Sequence, residues 1–113
     1  MEVYKLTESE EKFANIIWQN EPIGSGHLVK LCEKEMNWKK STTYTVLKKL
    51  CDKGVFQNEN AVVSSVITRD EYYSKQSIRF VEDTFKGSLP MFLTAFIRGK
   101  KLSKHQAEEL KRL

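Results

Sequence analysis

The chain has 113 residues, of which 40% are hydrophobic and 30% charged, and its formal net charge is +4. That length admits one ordinary core with an appendage, and the apolar share excludes a disordered chain. No apolar run reaches membrane-spanning length, and the acidic opening "MEVYKLTESEE" lacks the apolar stretch of a signal peptide, so a cytoplasmic protein without a membrane partner is expected.

Thr7 followed by Glu10 forms a capping box, and Phe13, Ile16 and Ile17 mark one face of a first helix over about 8–19. "NEPIGSG" breaks it with a proline and two glycines in a short turn. Ser25 is then expected to cap a second helix running to about Glu35, with Leu28, Leu31 and Cys32 inward. After "MNW" comes "KKSTTYTVLKKLCDKG", residues 39–54, which packs five lysines into a third helix ending at Gly54 as its C′ residue. Val46, Leu47 and Leu50 recur at helical spacing, leaving Ser41, Thr42, Tyr44, Thr45, Lys48 and Lys49 on the opposite face. "VFQNE" and "VVSSVIT" read as two strands around the polar tip Glu59–Asn60.

Three helices and a hairpin, with a basic third helix, follow the order of a winged helix-turn-helix. The fold class expected is therefore mainly α with a small β-hairpin, the winged domain occupying residues 1–69. Residues 70–113 read as a purely helical second domain. Ile78, Val81 and Phe85 share one side of its first helix, with Tyr73 and Phe80 on a second strip. Leu89, Phe92, Leu93, Phe96 and Ile97 follow the i, i+3, i+4, i+7, i+8 template in the next. Ser103 and Gln106 then open a last helix carrying Ala107, Leu110 and Leu113. These 44 residues hold four of the six phenylalanines, more apolar surface than so short a segment buries alone. A second copy of the chain is the simplest cover, with Phe80, Phe85, Leu89, Phe92, Leu93, Phe96 and Ile97 in the seam. The competing arrangement folds these helices back on the first 70 residues.

Charge is unevenly spread. Residues 1–36 carry a net charge of −3, whereas residues 39–53 carry +4. A basic block on an acidic half is what an element meeting phosphate would show, although a solvated lysine face produces the same count. Enzyme chemistry finds little support. His27 and His105 are the only histidines, Ser25 and Ser103 beside them read as helix caps, and neither a glycine-rich phosphate loop nor metal-ligand spacing occurs. No catalytic residue, metal site or cofactor is expected. Cys32 and Cys51 lie in helical patterns without a CxxC and read as small core residues of a reduced compartment, with redox sensing by Cys51, close to the basic helix, as the alternative.

"LTESEEKFANIIWQNEPIGSGHLVKLCEKEMNWKKSTTYTVLKKLCDKG" closely resembles the penicillinase-repressor family of transcriptional regulators. "STTYTVLKKLCDKG" carries most of the likeness, against a family pattern like S-T-V-Y-T-x-L-K-R-L-x-x-K-G. "FVEDTFKGSLPMFLTAF" and "LSKHQAEELKRL" extend it through the C-terminal helices. The resemblance implies a winged-helix, DNA-binding, homodimeric repressor that uses its third helix on an inverted-repeat operator and dimerises through its C-terminal helices. Thr42, Tyr44, Thr45 and Lys49 match positions facing DNA, and Thr43, Val46, Leu47 and Leu50 match core positions. Chemistry adds Ser41 for hydrogen bonding, Lys48 and Lys49 as phosphate clamps, and Lys40 with Lys39 at the positive end of the helix dipole.

Some features depart from the family pattern. Lys39–Lys40 stand where the family enters its third helix with Ser-Pro or a similar cap. The hairpin has no basic residue between Lys53 and Arg69. Ala95–Phe96 replaces the Asn-Phe pair at which penicillinase-type members are cleaved, and the cysteine cluster of copper-responsive members is missing. Neither induction route is implied, so the residues name no upstream sensor. The non-basic hairpin keeps one alternative in view, a winged helix that docks a protein and reads no DNA sequence.

Overall fold

The computed structural model describes residues 5–113. The first four residues, part of the acidic opening and of the expected first domain, lie outside that range. Among the described residues the elements run α1 (Glu8–Asn20), β1 (Ile23–Gly24), α2 (Ser25–Met36), α3 (Lys40–Asp52), β2 (Phe56–Glu59), β3 (Val62–Ser65), α4 (Arg69–Phe85), α5 (Leu89–Gly99) and α6 (Lys104–Lys111). This is a mostly helical chain with a small antiparallel sheet, as its periodicities predict.

Local chemistry sets several of the helix ends. Thr7 Oγ1 accepts from Glu10 N at 3.2 Å and Glu10 Oε1 accepts from Thr7 N at 2.9 Å, completing the capping box of α1. α2 starts differently from the sequence expectation: Gly24 is its N-cap, and Ser25 is its first helical residue. Ser25 N–H donates to the Ala61 carbonyl at 2.8 Å, so the hairpin turn satisfies one of the first backbone donors of α2. α3 stops at Gly54, whose φ of +80° suits a residue without a Cβ.

The hairpin becomes a three-stranded sheet of order β1-β3-β2. Its turn is Asn60–Ala61, both at positive φ, flanked by the Glu59–Val62 pair. The tip thus lies one residue beyond the expected Glu59–Asn60. β1 is two residues long and pairs Ile23 with Val63 and Gly24 with Val62. No periodicity can register in a dipeptide, which is why "NEPIGSG" reads only as a turn.

Two compact units result, one ending at Lys75 and the other running Gln76–Leu113. The first has a sealed core of Phe13, Ile17, Leu28, Cys32, Leu47, Leu50, Val55, Phe56 and Val63. It also takes in the first turns of α4. Tyr72 is buried and its hydroxyl accepts from Leu6 N at 2.9 Å, while Tyr73 donates to Glu11 Oε1 at 2.8 Å. Trp18 packs on Phe56, Tyr72 and Tyr73, and its indole N–H donates to the Ile67 carbonyl at 3.1 Å.

The second unit is arranged otherwise. None of residues 76–113 is buried. Phe92 is the hub of an aromatic cluster, with ring centroids 6.0 Å from Phe80, 5.5 Å from Phe85 and 6.1 Å from Phe96. Around that hub Ile78, Leu89, Met91, Leu93, Phe96 and Ile97 stay exposed, between 39% and 56%.

Tyr72 offers a direct check on the first unit. Tyr72→Phe leaves the buried Leu6 N–H without its acceptor and is expected to lower stability by about 1–3 kcal/mol. Tyr72→Ala also empties the aromatic site and should lower it by about 3–5 kcal/mol. Denaturant unfolding followed by tryptophan fluorescence reads both, and equal stability of all three proteins would contradict this packing.

Candidate nucleic-acid interface

α3 is buried on one side only. Thr43, Leu47 and Leu50 are sealed and Val46 is half-buried, whereas Lys40, Ser41, Thr42, Thr45, Lys48 and Lys49 are exposed. At about 100° per residue, Ser41, Thr45, Lys48 and Asp52 run along the middle of the outward arc. Thr42 and Lys49 lie on one flank of it, Tyr44 on the other.

Two of the flanking residues, Tyr44 and Lys49, are tied down within the protein. Tyr44 is half-buried and its hydroxyl donates to Ser25 Oγ at 3.2 Å, bracing α3 against the start of α2. On the other flank Lys49 Nζ lies 3.1 Å from Glu10 Oε2. The sequence-expected outward face therefore narrows to Lys40, Ser41, Thr42, Thr45 and Lys48. Thr45 is partly engaged as well, its hydroxyl donating to the Ser41 carbonyl at 2.9 Å, and it remains exposed.

The entry to α3 is strongly positive. Lys39 is the N-cap and makes no side-chain capping bond, Lys40 follows it, and the first turn holds no acidic residue. Cations at the positive end of a helix dipole disfavour the isolated helix but favour an arriving anion. The acid on the outward arc, Asp52, comes only in the last turn. Thr43 closes the inner side by donating to the Lys39 carbonyl at 3.3 Å.

The wing is polar and lacks cations. Gln57 donates to Ser64 Oγ at 3.1 Å across β2 and β3, and Val62 and Val66 are exposed nearby. Glu21 anchors the sheet to the end of α1, accepting from Ser65 N at 2.9 Å and Ser65 Oγ at 2.6 Å. Among the described residues no group of three or more His, Cys, Asp or Glu could hold a metal ion, and no helix is long and apolar enough to cross a membrane.

Sequence reading missed two participants. Glu10 registers in the chain only as half of a capping box, and its second oxygen meets a lysine 39 residues away. Ser25, expected as a helix cap, instead receives the Tyr44 hydroxyl. Neither pairing has a local signature, because each depends on how helices cross.

A basic, hydroxyl-bearing third helix behind a two-helix support and a β-hairpin defines the winged helix-turn-helix class. A family model described as penicillinase repressor matches residues 6–113. A penicillinase repressor from Bacillus licheniformis is 23% identical over 110 residues, covering 94% of this chain and 86% of its own. The chain belongs to the penicillinase repressor family, a family of transcriptional repressors and not of enzymes.

The two thiols give a further check. Burial raises the pKa of both Cys32 and Cys51, with Glu35 and Asp52 respectively adding to the effect and Thr43 opposing it at Cys32. Less thiolate forms at a given pH, so reaction with a disulfide reagent at pH 8 should run well below the rate of a free cysteine and speed up on unfolding. Native labelling as fast as in denaturant would contradict this environment.

Proposed function

We propose that the chain is a homodimeric repressor of transcription that binds an inverted-repeat DNA operator through α3. The observation that carries this reading is the one-sided burial of α3. Its outward arc presents exposed Ser41, Thr42, Thr45 and Lys48 beside a cationic N-terminus without a side-chain cap. Residues up to Lys75 would form the DNA-binding unit and Gln76–Leu113 the dimerising one.

The roles divide by chemistry. Lys39, Lys40 and Lys48 supply charge to phosphates, which positions the helix without reading sequence. Ser41, Thr42 and Thr45 are short enough to let the helix sit close to base edges; hydroxyls bond to either base type and the threonine methyl meets that of thymine. Asp52 sits where α3 would leave the groove, so entry is N-terminus first. The wing, without cations, contributes little to the electrostatic part of binding. In the dimer, exposed Leu89, Leu93, Phe96 and Ile97 would be covered by their counterparts, together with the edges of Phe80 and Phe85.

Binding to a short palindromic duplex at several salt concentrations tests the division. Lys48→Ala should shallow the slope of log K against log salt by about 0.9 and weaken binding to all sequences alike. Thr45→Ala should cost about 1–3 kcal/mol on the preferred duplex, blur one base position and leave the slope unchanged. Equal effects of both substitutions on preferred and random DNA would contradict it; duplex binding with no sequence preference would favour a protein-docking winged helix.

For assembly the informative substitution is Ile97→Asp. Phe92 is unsuitable because it is the hub of the unit's own cluster, whereas Ile97 is 47% exposed and lies outside the aromatic ring contacts. Ile97→Asp should yield a folded monomer by light scattering and circular dichroism, with operator affinity reduced by loss of the tethered second half-site. A wild-type protein already monomeric at tens of micromolar would overturn the dimer.

A further inference from the structure

Lys49 lies on the basic helix, yet its ammonium is held from within the protein. Its partner, Glu10, has a side chain only 6% exposed, against 52% for Lys49. Both carboxylate oxygens of Glu10 are used: Oε1 accepts from Thr7 N–H at 2.9 Å and Oε2 meets Lys49 Nζ at 3.1 Å. A buried carboxylate that loses its cation is left desolvated and uncompensated, which is far more unfavourable than leaving an exposed lysine in water. Lys49 is therefore committed to Glu10 before any phosphate arrives.

We propose that Glu10 is a positioning residue for DNA recognition: it holds Lys49 off the phosphates and fixes the rotation of α3 on α1. The proposal rests on the DNA-binding reading above. Glu10 belongs to the first turn of α1, where the capping box holds its side chain in place. Lys49 stands near the C-terminal end of α3, on the flank toward α1. Tyr44 performs the corresponding task on the opposite flank through Ser25. The two ties together leave Ser41, Thr45 and Lys48 at the centre of the outward arc. A freed Lys49 would add sequence-independent affinity and lower the ratio of specific to random binding.

The test uses the full chain and two fluorescent duplexes, one preferred and one random, titrated across salt. Lys48→Met serves as the phosphate-contact reference and should shallow the slope by about 0.9. Lys49→Met should leave the slope at the wild-type value while lowering the melting temperature. Should Lys49→Met fail to fold, Lys49→Gln, which still donates to Glu10, is read in the same way. Glu10→Gln weakens the hold on Lys49 and should steepen the slope on random DNA, with several-fold tighter binding at low salt. The double variant Glu10→Gln with Lys49→Met should return the slope to the wild-type value. A drop in slope for Lys49→Met equal to that for Lys48→Met, or no steepening for Glu10→Gln, would overturn the assignment while sparing the DNA reading. A wild-type protein without salt-dependent duplex binding would overturn both.

Discussion

Thr43, Leu47 and Leu50 are sealed beneath α3, and that burial on one side sets what the rest of the winged unit can do. A helix fixed through one stripe has to leave the opposite stripe in solvent, and here the solvent stripe carries hydroxyls and cations. The support is shared among distant segments: Phe13 and Ile17 from α1, Leu28 and Cys32 from α2, and Val55, Phe56 and Val63 from the sheet region all belong to the same cluster. Buried apolar surface supplies the stabilisation, but it does not fix rotation finely. Polar ties on the two flanks do that, through Tyr44 to Ser25 and Lys49 to Glu10.

The second unit answers a different constraint. A segment of 38 residues, Gln76–Leu113, has too little volume to enclose its own apolar side chains. Its aromatic rings solve part of the problem by meeting edge to face around Phe92, at interplanar angles of 86° to Phe80 and 70° to Phe85. The remainder stays at the surface, where a large apolar patch on a natural protein marks an interaction site. The apolar residues of this unit therefore divide into those that build it and those left at its surface. Phe92 belongs to the first group; Leu93 and Ile97 belong to the second.

Much of this architecture is legible in the chain. Helix ends follow from Thr7 with Glu10, from Gly54 and from Ser103, because caps are local chemistry within four residues of one another. The inner stripe of α3 follows from a period of 3.6. What escapes is non-local. β1 is too short to show a pattern, and its existence depends on Val62 and Val63 lying alongside. The start of α4 reads as the opening of a separate helical region, yet Tyr72 and Tyr73 are claimed by α1 and Trp18 through contacts more than fifty residues apart in the chain. Within the candidate site, exposure of Ser41, Thr42, Thr45 and Lys48 is legible from the helical wheel. The capture of Tyr44 and Lys49 is not, since a tyrosine and a lysine look equally suited to DNA until their partners are known.

In the proposed function the outward arc of α3 reads a sequence, in two copies related by symmetry. Selection from a library of random duplexes by the full-length protein at near-physiological salt measures this most directly. The expected result is enrichment of an inverted repeat whose half-sites lie about 34–36 Å apart, one turn of the duplex. Recovery of a duplex pool with no shared sequence, or of a single unpaired half-site, would contradict it.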